Sequence, residues 1–396
     1  MNDSKKRILI INSHFGIGGI ETAMVNMANA LCEEYDVDLF VFYPEGPMKE
    51  RLDPRVNILK SNFALKALVI SAKEAIKEKN PFVFIFNRLG AIWSHIFDNR
   101  LPIYLALKTF HKLGNYDLAI SYRQENQKKE LASGYVRFLD RCVIASKRVA
   151  WVHFDATAFP EMQNFNRKYY QKADKIIGVS AAVSTAFEKM NSQLACKMDY
   201  CYNIINYKEI YQKSLEEQKE SYPKDKFICF SACRLSKGKG IERTISAIET
   251  VMKEQNDILW YIAGDGPQRQ SILNIIKEKN LQDQIILLGQ LNNPYPYIKN
   301  ADLFLLTSYH EAAPVVYMEA KALKTPVFTT RTLSSEEMLG NMAFICENSE
   351  EGIHNAFDGL MKNRERISTV RNILNNNSVN NDVAFEKLKG FIDGIY

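Results

Sequence analysis

The sequence predicts an α/β protein of two doubly wound, Rossmann-like domains. Three observations carry that expectation. Apolar, β-branched runs alternate with amphipathic segments from the start of the chain, and the same alternation restarts near Lys226. Such alternation makes βαβ units, with parallel strands and right-handed crossovers. The length, 396 residues at 46% hydrophobic and 24% charged, suits two ordinary globular cores.

The first unit opens with RILIINS (7–13), a short apolar run that reads as a buried strand and is far too short for a signal-peptide core or a membrane span. A glycine-rich turn follows at Phe15–Gly19. In ETAMVNMANALCEEY, the residues Met24, Met27, Ala28 and Leu31 recur at helical spacing, and DVDLFVFY is the next strand. In the second half FICFSACRL, ILWYIAGDG, QIILLGQ, ADLFLLTS and PVFTT read as strands. GIERTISAIETVMKEQ, QRQSILNIIKEKN and PVVYMEAKALKT read as the helices between them, with PYPYIKNA as a short connection. The charged stretch 207–226 marks the domain boundary, and the asparagine-rich stretch 372–382 marks a second break before a last helix, VAFEKLKGFIDGIY. Two wound domains in one chain place a ligand cleft between them.

Seven cysteines without a CxxC pair, and six histidines without zinc-like spacing, argue for reduced thiols and no metal centre. Residues 1–200 carry 28 Lys+Arg against 21 Asp+Glu, and the remainder 23 against 25. The basic half suits an anionic membrane surface or another anionic partner; an ordinary mixed, solvated surface is the other reading. Residues 81–112 are aromatic and apolar, with four Lys/Arg and one Asp. They read either as a helix pair lying on a bilayer or as core helices interrupted by Asn87, Arg88, Asp98, Asn99 and Pro102.

Four strand-to-helix turns bear chemistry. In HFGIGGIE (14–21), Gly18 and Gly19 would let the backbone approach a ligand at a helix start. The dinucleotide fingerprint fails here, because Gly19 follows Gly18 directly and no acidic residue closes the second strand. In ACRLSKGKGIERT, Arg234 at a strand end and Lys239 just before a helix can hold a diphosphate. This is no P-loop, since Ile241 stands where Ser/Thr is needed. In AGDGPQRQ, Gly264, Gly266 and Pro267 shape a turn and Asp265 is expected to cap a helix. In HEAAPVVYMEAKALKT, Pro314 suits the first helical turn, with Glu311 in the loop before it and Glu319 along the helix. Two carboxylates at different heights over one pocket suit a polyhydroxylated ligand. His153 ends an apolar strand, where it either packs or faces the cleft. Asp36-Val37-Asp38 imitates a metal-binding DxD but opens a strand, so both aspartates share a solvated face.

With IGGIETAMVNMANAL, WVHFD, GVSAAVSTAF, CYNIIN, RLSKGKG, AGDGP and the E-x7-E stretch in order, the chain resembles a retaining glycosyltransferase of family 4, of the bacterial surface-polysaccharide type. The resemblance covers nearly the whole chain and implies the two-domain GT-B fold. Residues 1–205 would form the acceptor-side domain, 206–375 the domain binding a UDP- or GDP-sugar, and 376–396 a helix crossing back to the first domain. Arg234 and Lys239 would hold the diphosphate, Glu311 the hydroxyls of the sugar, and Glu319 the ribose. The base would lie near Gly289, Gln290 and Leu291, and Ala313, Pro314 and Val315 would line the donor seat. His153 would reach the sugar, and the backbone of Gly18 and Gly19 the phosphates or acceptor. No metal or cofactor is implied. The expected partners are the nucleotide sugar, a lipid-linked or glycan acceptor and an anionic membrane surface at the cytoplasmic face, with no nucleic acid. Ala312-Ala313-Pro314 departs from the Gly-Phe-Gly frequent in the family; a proline at 314 offers no N–H there. A nucleotide-sugar 2-epimerase or hydrolase, or a non-catalytic partner of a transferase, are the alternatives on this fold.

Overall fold

The computed structural model describes residues 5–218 and 220–394. The chain forms two compact units, one running to Ile204 and resumed from Asn381, the other Ile205–Asn380. Each is a mostly parallel sheet with helices, as the alternating pattern predicts.

The first unit holds seven strands: β1 Arg7–His14, β2 Asp36–Tyr43, β3 Asn57–Leu59, β4 Leu113–Ser121, β5 Val143–Val152, β6 Lys175–Gly178 and β7 Met198–Tyr200. Their order is β3-β2-β1-β4-β5-β6-β7. Ile8 through Ile11 are wholly buried, because a strand in the middle of a helix-covered parallel sheet meets apolar surface on both faces. Asp38 is not a metal ligand pair with Asp36. It accepts from Arg7 Nη2 (3.1 Å), Tyr116 Oη (2.7 Å) and Asn57 Nδ2 (2.7 Å), tying β2 to β1, β4 and β3.

The second unit holds β8 Phe227–Ala232, β9 Ile258–Ala263, β10 Ile285–Gly289, β11 Leu303–Leu306, β12 Val327–Thr330 and β13 Ala343–Cys346, in the order β10-β9-β8-β11-β12-β13. Both sheets therefore reverse direction beside their first strand, between β1 and β4 and between β8 and β11. All ladders are parallel.

Several expectations need correcting. PYPYIKNA is not a plain connection: Tyr295–Asn300 is a helix, started by prolines that the first turn tolerates. The strand Ala343–Cys346 and the helix Glu350–Lys362 escaped the sequence reading. The asparagine-rich stretch is helical up to Asn376, because Leu374 is buried and the Lys324 ammonium caps the carbonyls of Leu374 (2.7 Å) and Asn377 (2.6 Å). The last helix, Asp382–Asp393, belongs to the first unit. Its Leu388 and Phe391 are buried there. Lys6 pairs with Asp393 (2.7 Å), Lys387 with Asp199 (2.6 Å) and Lys389 with Glu34 (2.8 Å).

All seven thiols are free. No helix among the described residues is long and apolar enough to cross a membrane, and no group of three or more His, Cys, Asp or Glu among them could hold a metal.

Candidate active site

The second unit gathers its chemistry where the strand order reverses. The loop 233–240 leaves the carboxyl end of β8, and the loop 307–314 leaves the carboxyl end of the neighbouring β11. That crevice is the usual ligand seat of an open α/β sheet.

Lys239 and Glu311 meet there, with 2.5 Å between Nζ and Oε1. Ser308 Oγ donates to the same Oε1 at 2.6 Å, and Oε2 takes no hydrogen bond from a described residue. The pair is only partly open to solvent: the Lys239 side chain is 27% exposed and that of Glu311 11%. Burial works against the ammonium, but the adjacent Glu311 carboxylate outweighs it and raises the Lys239 pKa above its ordinary value.

The loops that carry this pair are fastened by backbone. Leu235 N donates to Asp265 O (2.9 Å) and Gln268 N to Leu235 O (3.0 Å). A Cβ at Gly264 would stand 1.9 Å from Cys233 O, and one at Gly266 would stand 2.3 Å from Leu235 O. The AGDGP glycines thus let that loop lie directly against the loop of Arg234. On the other side Tyr309 N donates to Gly238 O (2.9 Å), and Gly240, at φ +68°, sits 2.5 Å from Thr307 O as measured from an added Cβ. Arg243, unremarked in the sequence, staples the far loop. Its Nη2 donates to Thr307 O and Asn348 Oδ1 (both 2.8 Å), and its guanidinium lies 3.8 Å from the centre of the Tyr309 ring.

Arg234 lies on the same loop, is exposed, and its guanidinium makes no ion pair or hydrogen bond to a described residue. Pro314 is not in the first helical turn. It takes the N-cap position of the helix Val315–Ala322, at φ −67° and ψ 123°, so Val315 opens the helix. Ser334 Oγ donates to Ala312 O just before it. Glu319 lies about one turn along that helix and accepts from Tyr295 Oη at 3.2 Å. Gly289 ends β10 at φ +72°, with its carbonyl taken by Gly264 N (2.7 Å); Gln290 is exposed and Leu291 half-buried. Asp265 does not cap a helix side-on, since its Oδ1 accepts from the Gly266 amide (2.8 Å) and the helix starts only at Arg269.

In the first unit, a second cluster stands at the reversal between β1 and β4. Gly18 is extended and Gly19 opens the helix Gly19–Leu31 without a side-chain cap. A Cβ at Gly18 would come within 2.5 Å of Glu21 Oε2. Glu21 is buried and pairs with Arg123 Nη1 at 2.5 Å, with His14 Nδ1 3.9 Å away. Arg123 had no sequence signature beyond following a strand. His153 directly follows β5, packed edge-on against Tyr122 at 4.8 Å between ring centres. Burial drives its pKa down to about 3, against a hydrogen bond to the Tyr122 backbone that favours the charged form. Its Nε2 is buried with no protein partner. A ring that donates from one nitrogen and stays neutral offers the other as an acceptor.

Residues 212–378 match the family described as glycosyl transferases group 1. Among curated proteins the chain is 31% identical over 221 residues to N-acetylgalactosamine-N,N'-diacetylbacillosaminyl-diphospho-undecaprenol 4-alpha-N-acetylgalactosaminyltransferase of Campylobacter jejuni, covering 56% of this chain and 58% of that one. It is 25% identical over 195 residues to N-acetyl-alpha-D-glucosaminyl L-malate synthase of Bacillus anthracis, covering 48% and 50%. The chain spans about half the length of the curated relatives it matches. Among solved structures, sucrose-phosphate synthase from Thermosynechococcus elongatus superimposes with a TM-score of 0.71 over 99% of both chains at 15% identity. Anabaena HepE, solved with UDP-glucose, gives 0.65 over 92% of both at 17%. The chain has the GT-B fold. Its second domain is related to the group 1 glycosyl transferases, and the loops 233–240 and 307–314 both lie within the matched residues.

Proposed function

We propose that this GT-B protein is a retaining glycosyltransferase that moves a hexosyl group from a UDP- or GDP-sugar to a hydroxyl of a lipid-linked or polysaccharide acceptor, without a metal, at the cytoplasmic face of a membrane. The observation that carries the reading is the Lys239–Glu311–Ser308 cluster at the strand reversal of the second domain, with Arg234 uncommitted beside it. The relative named for transfer of N-acetylgalactosamine and the HepE structure with UDP-glucose favour a nucleotide-sugar donor.

In this mechanism the diphosphate competes with Glu311 for Lys239 and recruits Arg234. Two cations then stabilise the charge that grows on the departing phosphate oxygen. Glu311, released from Lys239 but still held by Ser308, accepts hydrogen bonds from sugar hydroxyls. Glu319 takes the ribose, the 289–291 segment takes the base, and the 313–315 segment lines the donor. The neutral His153 accepts from a sugar hydroxyl through Nε2, and the turn at Gly18 and Gly19 serves phosphate or acceptor. The bond from the anomeric carbon to the phosphate oxygen breaks while a bond to the acceptor oxygen forms on the same face. The acceptor proton passes to the leaving phosphate oxygen, so no side chain has to act as nucleophile.

The test is nucleotide release across a panel of UDP- and GDP-sugars with polyprenyl-diphosphate glycan acceptors, in EDTA. Transfer with retained anomeric configuration is expected. Activity lost in EDTA and restored by manganese, or epimerised sugar formed without acceptor, overturns the proposal.

A further inference from the structure

The helix Pro81–Ile96 is packed inside out. At about 100° per residue, Phe82, Ile85, Leu89, Ile92, Trp93 and Ile96 fall on one stripe. All six are exposed, from 40% at Trp93 to 66% at Phe82. The opposite, inward stripe is Val83, Asn87, Gly90 and Ser94. Asn87 anchors it, donating to the carbonyls of Ala67 (2.9 Å) and Ile70 (3.0 Å), and a Cβ at Gly90 would meet Pro102 at 3.6 Å. An amphipathic helix of a water-soluble surface turns its large apolar residues inward. This one holds itself to the domain by Val83, Phe86 and small or polar residues, and presents most of its large apolar residues outward. The next helix, Arg100–Lys108, continues the surface with exposed Leu101, Tyr104 and Leu105.

A cavity of about 380 Å³ opens between that second helix and its neighbours, with Arg100, Tyr104, Arg137, Arg141, Lys168 and Tyr169 in its wall and no acidic residue among those lining it. Arg100 is matched by Asp98 (2.6 Å) and Arg137 by the buried Glu125 (2.8 Å). Among the described residues, Arg141 and Lys168 have side-chain partners only in rings, 5.1 Å from the centre of Tyr104 and 5.6 Å from that of Tyr169. Arg137 Nη1 is buried with no hydrogen-bond partner among the described residues, on a side chain 6% exposed. An apolar face edged by uncommitted cations and by Trp and Tyr is the make-up of a helix that lies in the headgroup boundary of an anionic bilayer. A second copy of the chain fits less well, since it would bring the same cations to the same rim.

We propose that the outward faces of Pro81–Ile96 and Arg100–Lys108 seat the first domain on an anionic phospholipid bilayer, with the Arg141–Lys168 cavity taking a lipid phosphate. The proposal deepens the membrane setting of the function proposed above but rests on the first domain alone. Its test therefore reads lipid binding and never sugar transfer. The full chain is sedimented with vesicles of phosphatidylcholine, with and without phosphatidylglycerol, and the fluorescence of Trp93 is followed with brominated acyl chains. Trp151 and Trp260 are buried, so quenching reports Trp93. Binding that needs phosphatidylglycerol, weakens with salt and quenches Trp93 is expected. L89E with I92E, both on exposed positions, should lower partitioning at least about tenfold, and R141Q with K168Q by on the order of tenfold. Equal binding to neutral vesicles, unquenched Trp93, or a soluble dimer broken by L89E with I92E in place of vesicle binding overturns it.

Discussion

Glu311 accepts from Lys239 and Ser308 through one oxygen. That economy makes Lys239 the residue with the most to lose by mutation. Lys239→Ala should cost about 3 kcal/mol of transition-state stabilisation, roughly 100-fold in turnover, measured with whichever nucleotide sugar is accepted. The thermal midpoint should fall as well, since the substitution leaves the largely buried Glu311 carboxylate with Ser308 as its one remaining donor among the described residues. Wild-type turnover in that variant removes Lys239 from the mechanism. His153 offers a second test. Its pKa is about 3 in the fold against 6.5 for a free imidazole. The folded state then binds fewer protons between those values, so stability is fully present above about 6.5 and is lost as pH falls toward 3. Plotted against pH, the melting temperature of His153→Gln should fall less steeply on the acid side than that of the wild type. A ring that titrates near neutrality by NMR would show the burial argument to be wrong. At this scale the loops that carry Arg234, Lys239 and Glu311 are readable, because the apolar runs of β8 and β11 mark where those loops begin. Arg123, Arg243 and Ser308 were invisible because their roles come from contacts that only the fold creates.

The glycines decide the element scale. Gly264 and Gly289 both have positive φ, +137° and +72°. An added Cβ at Gly289 meets open space, whereas one at Gly264 runs into Cys233 O. Gly289→Ala should cost about 1–2 kcal/mol, the left-handed backbone penalty alone. Gly264→Ala should cost clearly more in chemical denaturation and should also weaken nucleotide binding, because it pushes on the loop that bears Arg234 and Lys239. Equal effects of the two substitutions would dissociate the AGDGP turn from the site. The alternation of strand and helix in the second unit and the opening βαβ unit of the first are legible from periodicity, down to DVDLFVFY, whose limits match β2, whereas β3, β4, β6 and β7 are not. The misses have physical causes. Ala343–Cys346 is an edge strand of which only Cys346 is fully buried, so it lacks the long apolar run of its neighbours, and Tyr295–Asn300 hides behind prolines that punctuate most loops but suit a first turn. The segment 81–112 could not be settled by sequence, because periodicity reveals that a helix has an apolar stripe and not which way the stripe faces.

The chain as a whole is two domains sewn by a return: it leaves the first at Ile204 and comes back to it at Asn381. The last helix buries Ala384, Leu388, Phe391 and Ile392 in the first unit and ties into it by three ion pairs. Ending the chain after Asn380 should therefore lower the melting transition of the first domain and leave that of the second in place, as calorimetry can read. A fall in the second transition instead would mean that the helix belongs functionally elsewhere. The break before this helix is readable in the asparagine-rich stretch and its return to the first domain is implied by the family resemblance, but the contacts that receive it are not readable, because they come from elements distant in the chain: Cys201 Sγ donates to Ala384 O at 3.5 Å.

The seam where Gly264 and Gly266 rest on the carbonyls of Cys233 and Leu235 contains no side chain that substitution could lengthen or shorten. The cradle for charge can only shift as a single casting. On the proposed reading, discrimination among donor sugars would fall to adjustable parts nearby, above all the short run from Tyr309 to Pro314, where a swapped residue changes the walls without cracking the floor.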